Sequence, residues 1–165
     1  VILLQDDIQW MLGPEPKNLS HEWRSEVLEL FFVVNGEKYS DVSVSNLPIP
    51  QWGGNLLLLE GNDLSNPKCL KGLLWTTPFK DDIVRVAAFS ISSELQSKGF
   101  GSLAWNHFVD SAINAGFTKV QLEVKVSNIR GQDFYRKRGL VIMEELEGYY
   151  ASGLGYMMRG DLKKY

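Results

Sequence analysis

A single cysteine, Cys69, in 165 residues leaves no internal disulfide available, so packing alone must hold the fold. A lone thiol suits a reducing compartment, and the expected location is the cytoplasm. Histidine is nearly as scarce. His21 and His107 stand far apart, and with one cysteine they do not compose a zinc site, so no metal is expected. Lys and Arg number 17 against 20 Asp and Glu, and the positive residues nowhere gather in a block. Nucleic acid is disfavoured as a partner, because phosphate backbones are held by clustered positive charge. No apolar run reaches the ~20 residues of a membrane-spanning helix, so no membrane partner is expected. Val1–Leu4 is too short for a signal peptide. Because the chain opens on Val1 rather than Met, its first strand is expected to be incomplete. There is no internal repeat and no low-complexity tract.

The 44% hydrophobic and 22% charged residues describe one globular domain with a sizeable core. Val1–Leu4 is expected to form a short strand. Gly13, Pro14 and Pro16 break the chain within residues 5–18. Ser20 caps a helical pattern of Trp23, Val27, Leu30 and Phe31. Residues 40–54 read as a loop with a short strand at Val42–Val44. Strands follow at Asn55–Glu60, Leu70–Thr77 and Ile83–Ile91. The next helix spans Ser102–Ala115 on one broad apolar face and is closed by Gly116. Val120, Leu122, Val124 and Val126 alternate as a strand, and Asn128–Arg138 is a short helix. Two further strands cover Leu140–Glu145 and Gly155–Arg159. The fold class is α/β: a single domain with a central, mixed but mostly antiparallel sheet flanked by helices and one strand–helix–strand crossover. Trp10, Trp23, Trp52, Trp75 and Trp105 read as core or wall, and His107 as a surface residue.

The informative stretch is Gln96-Ser97-Lys98-Gly99-Phe100-Gly101-Ser102, between a strand and a helix. The first amides of a helix lack internal partners, and its dipole adds partial positive charge. Gly99 and Gly101 let the backbone turn its N–H groups toward an anion, and Lys98 adds a mobile charge. The third glycine of a dinucleotide fingerprint is missing, and so is the Gly-Lys-Ser/Thr of a P-loop. An ordinary strand-to-helix turn would also account for Gly-x-Gly alone.

Gln-x-x-Gly-x-Gly opening a helix, then Leu122-Glu123-Val124-Lys125-Val126-Ser127-Asn128, then Phe134-Tyr135-Arg136-Lys137-Arg138-Gly139, resembles the GNAT acetyltransferase superfamily. The tail from Tyr149-Tyr150 to Met157-Met158 is similar to the N-alpha-acetyltransferases: the ribosomal-protein (RimI-like) type and the N-terminal acetyltransferase subunits. The likeness covers residues 83–162, implied to be the acetyl-CoA-binding core. Residues 1–82 would then supply strands and the acceptor-side helices. Gly131 departs from the common Ala, and Leu140 from the common Phe.

The resemblance implies acetyl-CoA as co-substrate and a primary amine as acceptor, foremost a protein or peptide N-terminus. It implies that residues 96–102 hold the pyrophosphate, that Phe89, Ser90 and Ile91 meet the pantetheine arm through backbone groups, and that Asn128 contacts the same arm. It implies Tyr135 near the sulfur as proton donor, Glu123 as general base, and Tyr149 and Tyr150 on the acceptor peptide. Asn128, Gly131 and Tyr135 share a helix face, with Gly131 leaving room for a ligand. Read without the resemblance, Asn128 is a helix cap, Tyr135 and the tyrosine pair are packing, and Glu123 is a solvated carboxylate. Acetylation of a small amine or a Lys side chain, and a weakly active acyl-CoA-binding module, are the competing functions. A homodimer is left open.

Overall fold

The computed structural model describes residues 3–5, 7–151 and 153–163. An eight-stranded sheet runs through the molecule in the order β1-β2-β3-β4-β5-β6-β8-β7. The strands are β1 (Leu3–Gln5), β2 (Ile8–Leu12), β3 (Asn55–Glu60), β4 (Leu70–Lys80), β5 (Ile83–Ile91), β6 (Lys119–Lys125), β7 (Val141–Tyr150) and β8 (Gly153–Asp161). All neighbours pair antiparallel except β5 and β6. That parallel pair is the crossover expected from the sequence, and helix α3 (Phe100–Asn114) makes the connection. Helices α1 (His21–Asn35) and α2 (Asp41–Ser45) cover the opposite face, and α4 (Ile129–Lys137) joins α3 on the first.

Both faces of the sheet are covered, which explains the unbroken Leu56–Leu59 run in β3. Leu56 and Leu58 pack with Trp105, Phe108 and Ala112 of α3. Leu57 and Leu59 pack with Val27, Leu30 and Phe31 of α1. Trp10, Trp75 and Trp105 are fully buried, while Trp23 and Trp52 are partly buried walls. Ser20 caps α1 by accepting from the Trp23 N–H at 3.3 Å, as its sequence position predicts.

Four local readings need correction. Residues 41–45 form α2, not a strand: Ser40 and Ser43 close a reciprocal capping box that outweighs the β preference of Val42 and Val44. The strand β2 within residues 5–18 was not foreseen, although Ile8, Trp10 and Leu12 alternate as a strand requires. Helix α3 starts at Phe100, two residues early, because Gly99 caps it in the left-handed region. Strand β7 runs on to Tyr150, past the expected end at Glu145, so Tyr149 and Tyr150 belong to a strand instead of lying between the last two.

A bulge in β5 positions the site. Trp75 faces Ala88 and Thr76 faces Val86, so Ala87 is the extra residue. The inserted residue shifts the alternation: Val84 and Val86 face the α3 side, and beyond the bulge Phe89 and Ile91 do. Pairing with β6 stops at the same place, its last register being Val86 with Leu122.

Candidate active site

Where β5 parts from β6, a cleft of about 1070 Å³ opens. Past Val86, β5 pairs among the described residues with β4 alone, and Phe89, Ser90 and Ile91 line the cleft along its other edge. Stacking of Phe89 on Trp105, with ring centroids 6.3 Å apart, holds that edge against α3. From the opposite wall, Asn35 at the end of α1 donates to Ser90 Oγ at 2.9 Å.

One half of the cleft gathers groups able to hold an anion. Gln96 donates its side-chain amide to the Ile91 carbonyl at 2.7 Å, folding the loop back on β5. Ser97 and Gly99 both take positive φ, 60° and 89°. Among the described residues, the N–H groups of residues 97–102 donate to no backbone carbonyl. Those amides, with the α3 dipole behind them, form an anion cradle. Gly101 sits where α3 crosses β5 and α4; a Cβ there would lie 3.4 Å from Phe134 Cε2 and 3.6 Å from Ile91 Cδ1.

The cations of this half differ from those expected. Lys98 is exposed and does not line the cleft. Arg130, Lys137 and Arg138 of α4 and its end line it instead, against a single local carboxylate, Asp133. Arg130 donates to Ser97 Oγ. Arg138 donates to Ser102 Oγ at 2.6 Å and lies 3.5 Å over the Phe134 ring. Their spacing of seven and eight residues puts them on one helix face, a signal readable in the sequence once Asn128 is taken as the start of α4. Phe100 is also reassigned. Its side chain is core, its carbonyl accepts from Trp10 Nε1 at 3.0 Å, and only its amide is available to a ligand.

Asn128 is the N-cap of α4, its Oδ1 accepting from the Gly131 N–H at 2.9 Å. A Cβ on Gly131 would stand 2.6 Å from Asn128 Nδ2. The missing side chain therefore makes room for Asn128, and Gly131 itself lines the cleft. Asn128 still lines the cleft. Tyr135 lines it too, 8% exposed and packed on Trp105. Burial pushes its phenol well above the ordinary range, so the proton stays on oxygen.

At the other half stand Glu123, Tyr149 and Tyr150, together with Arg85, Lys125, Glu37 and Tyr39, which the sequence did not single out. Glu123 is not a free carboxylate. Arg85 grips it through Nε at 3.0 and 3.2 Å and Nη2 at 2.8 Å, and the Tyr149 hydroxyl donates to its Oε1 at 3.1 Å. Arg85 Nη2 also donates to the Tyr149 oxygen at 2.9 Å. Burial, reinforced by Glu123, raises the Tyr149 phenol, and this tyrosine too keeps its proton. The Tyr149 and Tyr150 rings meet edge to face at 4.9 Å. Lys125 pairs with the buried Glu37 at 2.6 Å, tying the α1–α2 connection to β6.

A profile of the Acetyltransferase (GNAT) family matches residues 19–140. The chain belongs to this family. Its members transfer acetyl groups, and this acetyltransferase uses acetyl-CoA as co-substrate with an amine as acceptor. No curated protein matches the sequence significantly. Solved structures share the fold at low identity. Ard1 from Thermoplasma volcanium is 18% identical with a TM-score of 0.75, over 96% of this chain and 99% of that one. The ribosomal-protein-S18-alanine N-acetyltransferase from Escherichia coli is 15% identical with a TM-score of 0.68, over 96% of each. Naa50 from Arabidopsis thaliana, solved with the bisubstrate analogue CoA-Ac-MVNAL, is 17% identical with a TM-score of 0.71, over 96% and 99%.

The anion cradle fits a pyrophosphate on physical grounds, and one residue tests it. Gly99 has open space around it but a φ of 89°, which a β-branched residue adopts only under strain of about 1–3 kcal/mol. Gly99→Val is expected to reorient the neighbouring amides and weaken CoA at least tenfold in calorimetry, about 1.4 kcal/mol. A folded Gly99→Val protein with wild-type CoA affinity would remove the loop from the binding site.

Proposed function

We propose that this acetyltransferase acetylates the α-amine of a protein or peptide N-terminus. The observation that carries the reading is the 3.1 Å hydrogen bond from Tyr149 to Glu123. It places the tyrosine pair of β7 and a carboxylate at one point of the cleft, at the opposite end from the amide cradle. An acceptor lying along Tyr149 and Tyr150 would bring its amine beside Glu123. The S18 alanine named for the E. coli enzyme and the peptide analogue CoA-Ac-MVNAL bound to Arabidopsis Naa50 point the same way.

In this scheme the amides of residues 97–102, with Arg130 and Arg138, hold the pyrophosphate, and the edge of β5 past Val86 aligns the pantetheine arm. Acetyl-CoA, when bound, supplies a thioester whose acetyl carbon the amine attacks, so that a C–N bond forms and the C–S bond breaks. Glu123 takes the proton that the ammonium must lose, directly or through one water. An α-amine, with pKa near ~8, needs less help than a Lys ammonium near ~10.4. Tyr135 donates a hydrogen bond to the departing sulfur. It does not surrender its proton: a thiol has pKa ~8.5, and a phenol held above its ordinary ~10 is the weaker acid.

The test is a mass-spectrometric transfer assay near pH 7.5. It compares peptides with free N-termini, the same peptides blocked at the N-terminus but carrying Lys, and small amines. Free N-termini are expected to be preferred at least tenfold in kcat/KM. Equal or faster transfer to blocked Lys peptides or small amines would overturn the assignment.

A further inference from the structure

The Arg85–Glu123 pair spans the two strands that define the cleft, one partner on β5 and one on β6. Arg85 precedes the bulge, where β5 still runs alongside β6 in register with Gln121. Glu123 lies just past Leu122, the last residue of β6 that pairs with β5. The guanidinium therefore reaches from the closed part of the fork to the first residue of the open part. Both side chains are largely shielded, 26% and 12% exposed, so water screens the pair weakly. Such a contact is unlike an exposed surface pair, which contributes little.

Resting on the reading of Glu123 as proton acceptor, the geometry points to Arg85 as a positioning residue. It holds the Glu123 carboxylate turned so that Oε2 is the oxygen that takes the proton from the acceptor. The two oxygens are unequally occupied. Oε1 accepts from Arg85 Nε at 3.0 Å, Arg85 Nη2 at 2.8 Å and Tyr149 Oη at 3.1 Å. Among the described residues, Oε2 accepts only from Arg85 Nε, at 3.2 Å. Oε1 is saturated and Oε2 keeps lone-pair capacity. The fork of Arg85 fixes the plane of the carboxylate, a constraint that a lysine, as a point charge, would not impose. The proton moves from the ammonium nitrogen to Oε2, and the neutral amine keeps the electron pair that forms the C–N bond.

The other groups around the carboxylate do not take over this task. On β7, Tyr149 stays protonated and donates to Oε1, and burial, with Tyr149 beside it, keeps Tyr150 protonated too. On β6, Lys125 spends its charge on Glu37 at 2.6 Å. Tyr39, at the α1–α2 connection, is raised by burial and then by Glu37. Arg85 is the cation bonded to Glu123 among the described residues.

The experiment compares wild type, Arg85→Gln, Arg85→Lys, Glu123→Gln and the Arg85→Gln/Glu123→Gln double variant with a peptide acceptor. It records kcat and KM from pH 6 to 10, CoA affinity by calorimetry, and thermal melting. Without the fork the carboxylate is free to rotate, so Arg85→Gln is expected to lower kcat more than it changes the KM for the peptide. At pH 7 the loss should be about 10–100-fold, with CoA affinity within twofold of wild type. Arg85→Lys keeps the charge but loses the fork, and should also lower kcat. The double variant should be little worse than Glu123→Gln, its further loss limited to the Arg85 contact with the Tyr149 oxygen.

An Arg85→Gln profile superimposable on wild type, or losses that multiply in the double variant, would overturn the role of Arg85. If Arg85→Gln does not fold, Arg85→Lys decides: kcat equal to wild type removes the fork, and reduced kcat at unchanged CoA affinity supports it. Wild-type activity of Glu123→Gln would overturn the base reading itself. An impaired Glu123→Gln beside an unaffected Arg85→Gln overturns only the inference about Arg85.

Discussion

Glu123→Gln is expected to lower kcat/KM by about 10²–10⁴-fold at pH 6.5, the range of a lost general base, and by much less at pH 9.5. The amide keeps the shape of the side chain and still accepts from Arg85 and Tyr149, but it cannot take a proton. Below pH ~8 an α-amine arrives mostly as ammonium and must be deprotonated on the enzyme. Above that pH, solvent does the work and the variant recovers. A Lys acceptor, with pKa ~10.4, would recover only at more alkaline pH, so the recovery midpoint also reports the acceptor class. The measurement is kcat/KM against pH with a free N-terminal peptide. Parallel wild-type and variant profiles would take Glu123 out of the mechanism and return it to a structural ion pair with Arg85.

Tyr135→Phe should reduce kcat by about 10–100-fold while leaving CoA affinity within about twofold. The magnitude follows from the burial of this phenol. A proton donor that surrendered its proton could contribute up to about 10⁴-fold. A phenol held above its ordinary range gives a hydrogen bond to the thiolate instead, and hydrogen bonds to charged groups contribute about 1.5–3 kcal/mol. At 1.36 kcal/mol per factor of ten, that is about one to two orders of magnitude. The ring still packs on Trp105, 5.7 Å between centroids, so the fold and the wall of the cleft persist. Pre-steady-state turnover with acetyl-CoA isolates the chemical step. A wild-type rate there would show that the hydroxyl does not touch the leaving sulfur, and a loss beyond 10³-fold would favour full proton transfer.

Much of the scaffold was legible because it is written in local patterns. The strands Asn55–Glu60 and Ile83–Ile91 match their sequence readings at both ends. The alternation of Val120, Leu122 and Val124 and the cap at Ser20 need no distant partner to be recognised. Less visible was β2, masked by the prolines that follow it, and α2, where serine capping outweighed two valines. The phase break between Val84-x-Val86 and Phe89-x-Ile91 was in the sequence all along. It marks the β5 bulge, and with it the place where the cleft begins.

By itself the sequence determined a single α/β domain, an amide-rich turn opening a helix, and a set of polar residues spaced as in the GNAT family, to which the chain belongs. Those features are contiguous, so backbone propensity and short-range spacing suffice to reveal them. Tertiary structure alone decided how the side chains are engaged. Arg85 and Glu123 stand 38 residues apart, and Tyr149 and Glu123 stand 26 apart, yet they share hydrogen bonds because β5 and β6 run parallel and β7 reaches the same end of the sheet. The same packing sent Lys98 out to solvent, brought Arg130 and Arg138 to the loop, and filled the space above Gly131 with Asn128. Charge pairing and burial depend on which strands become neighbours, and strand neighbours are fixed by long-range packing that no local window of sequence contains.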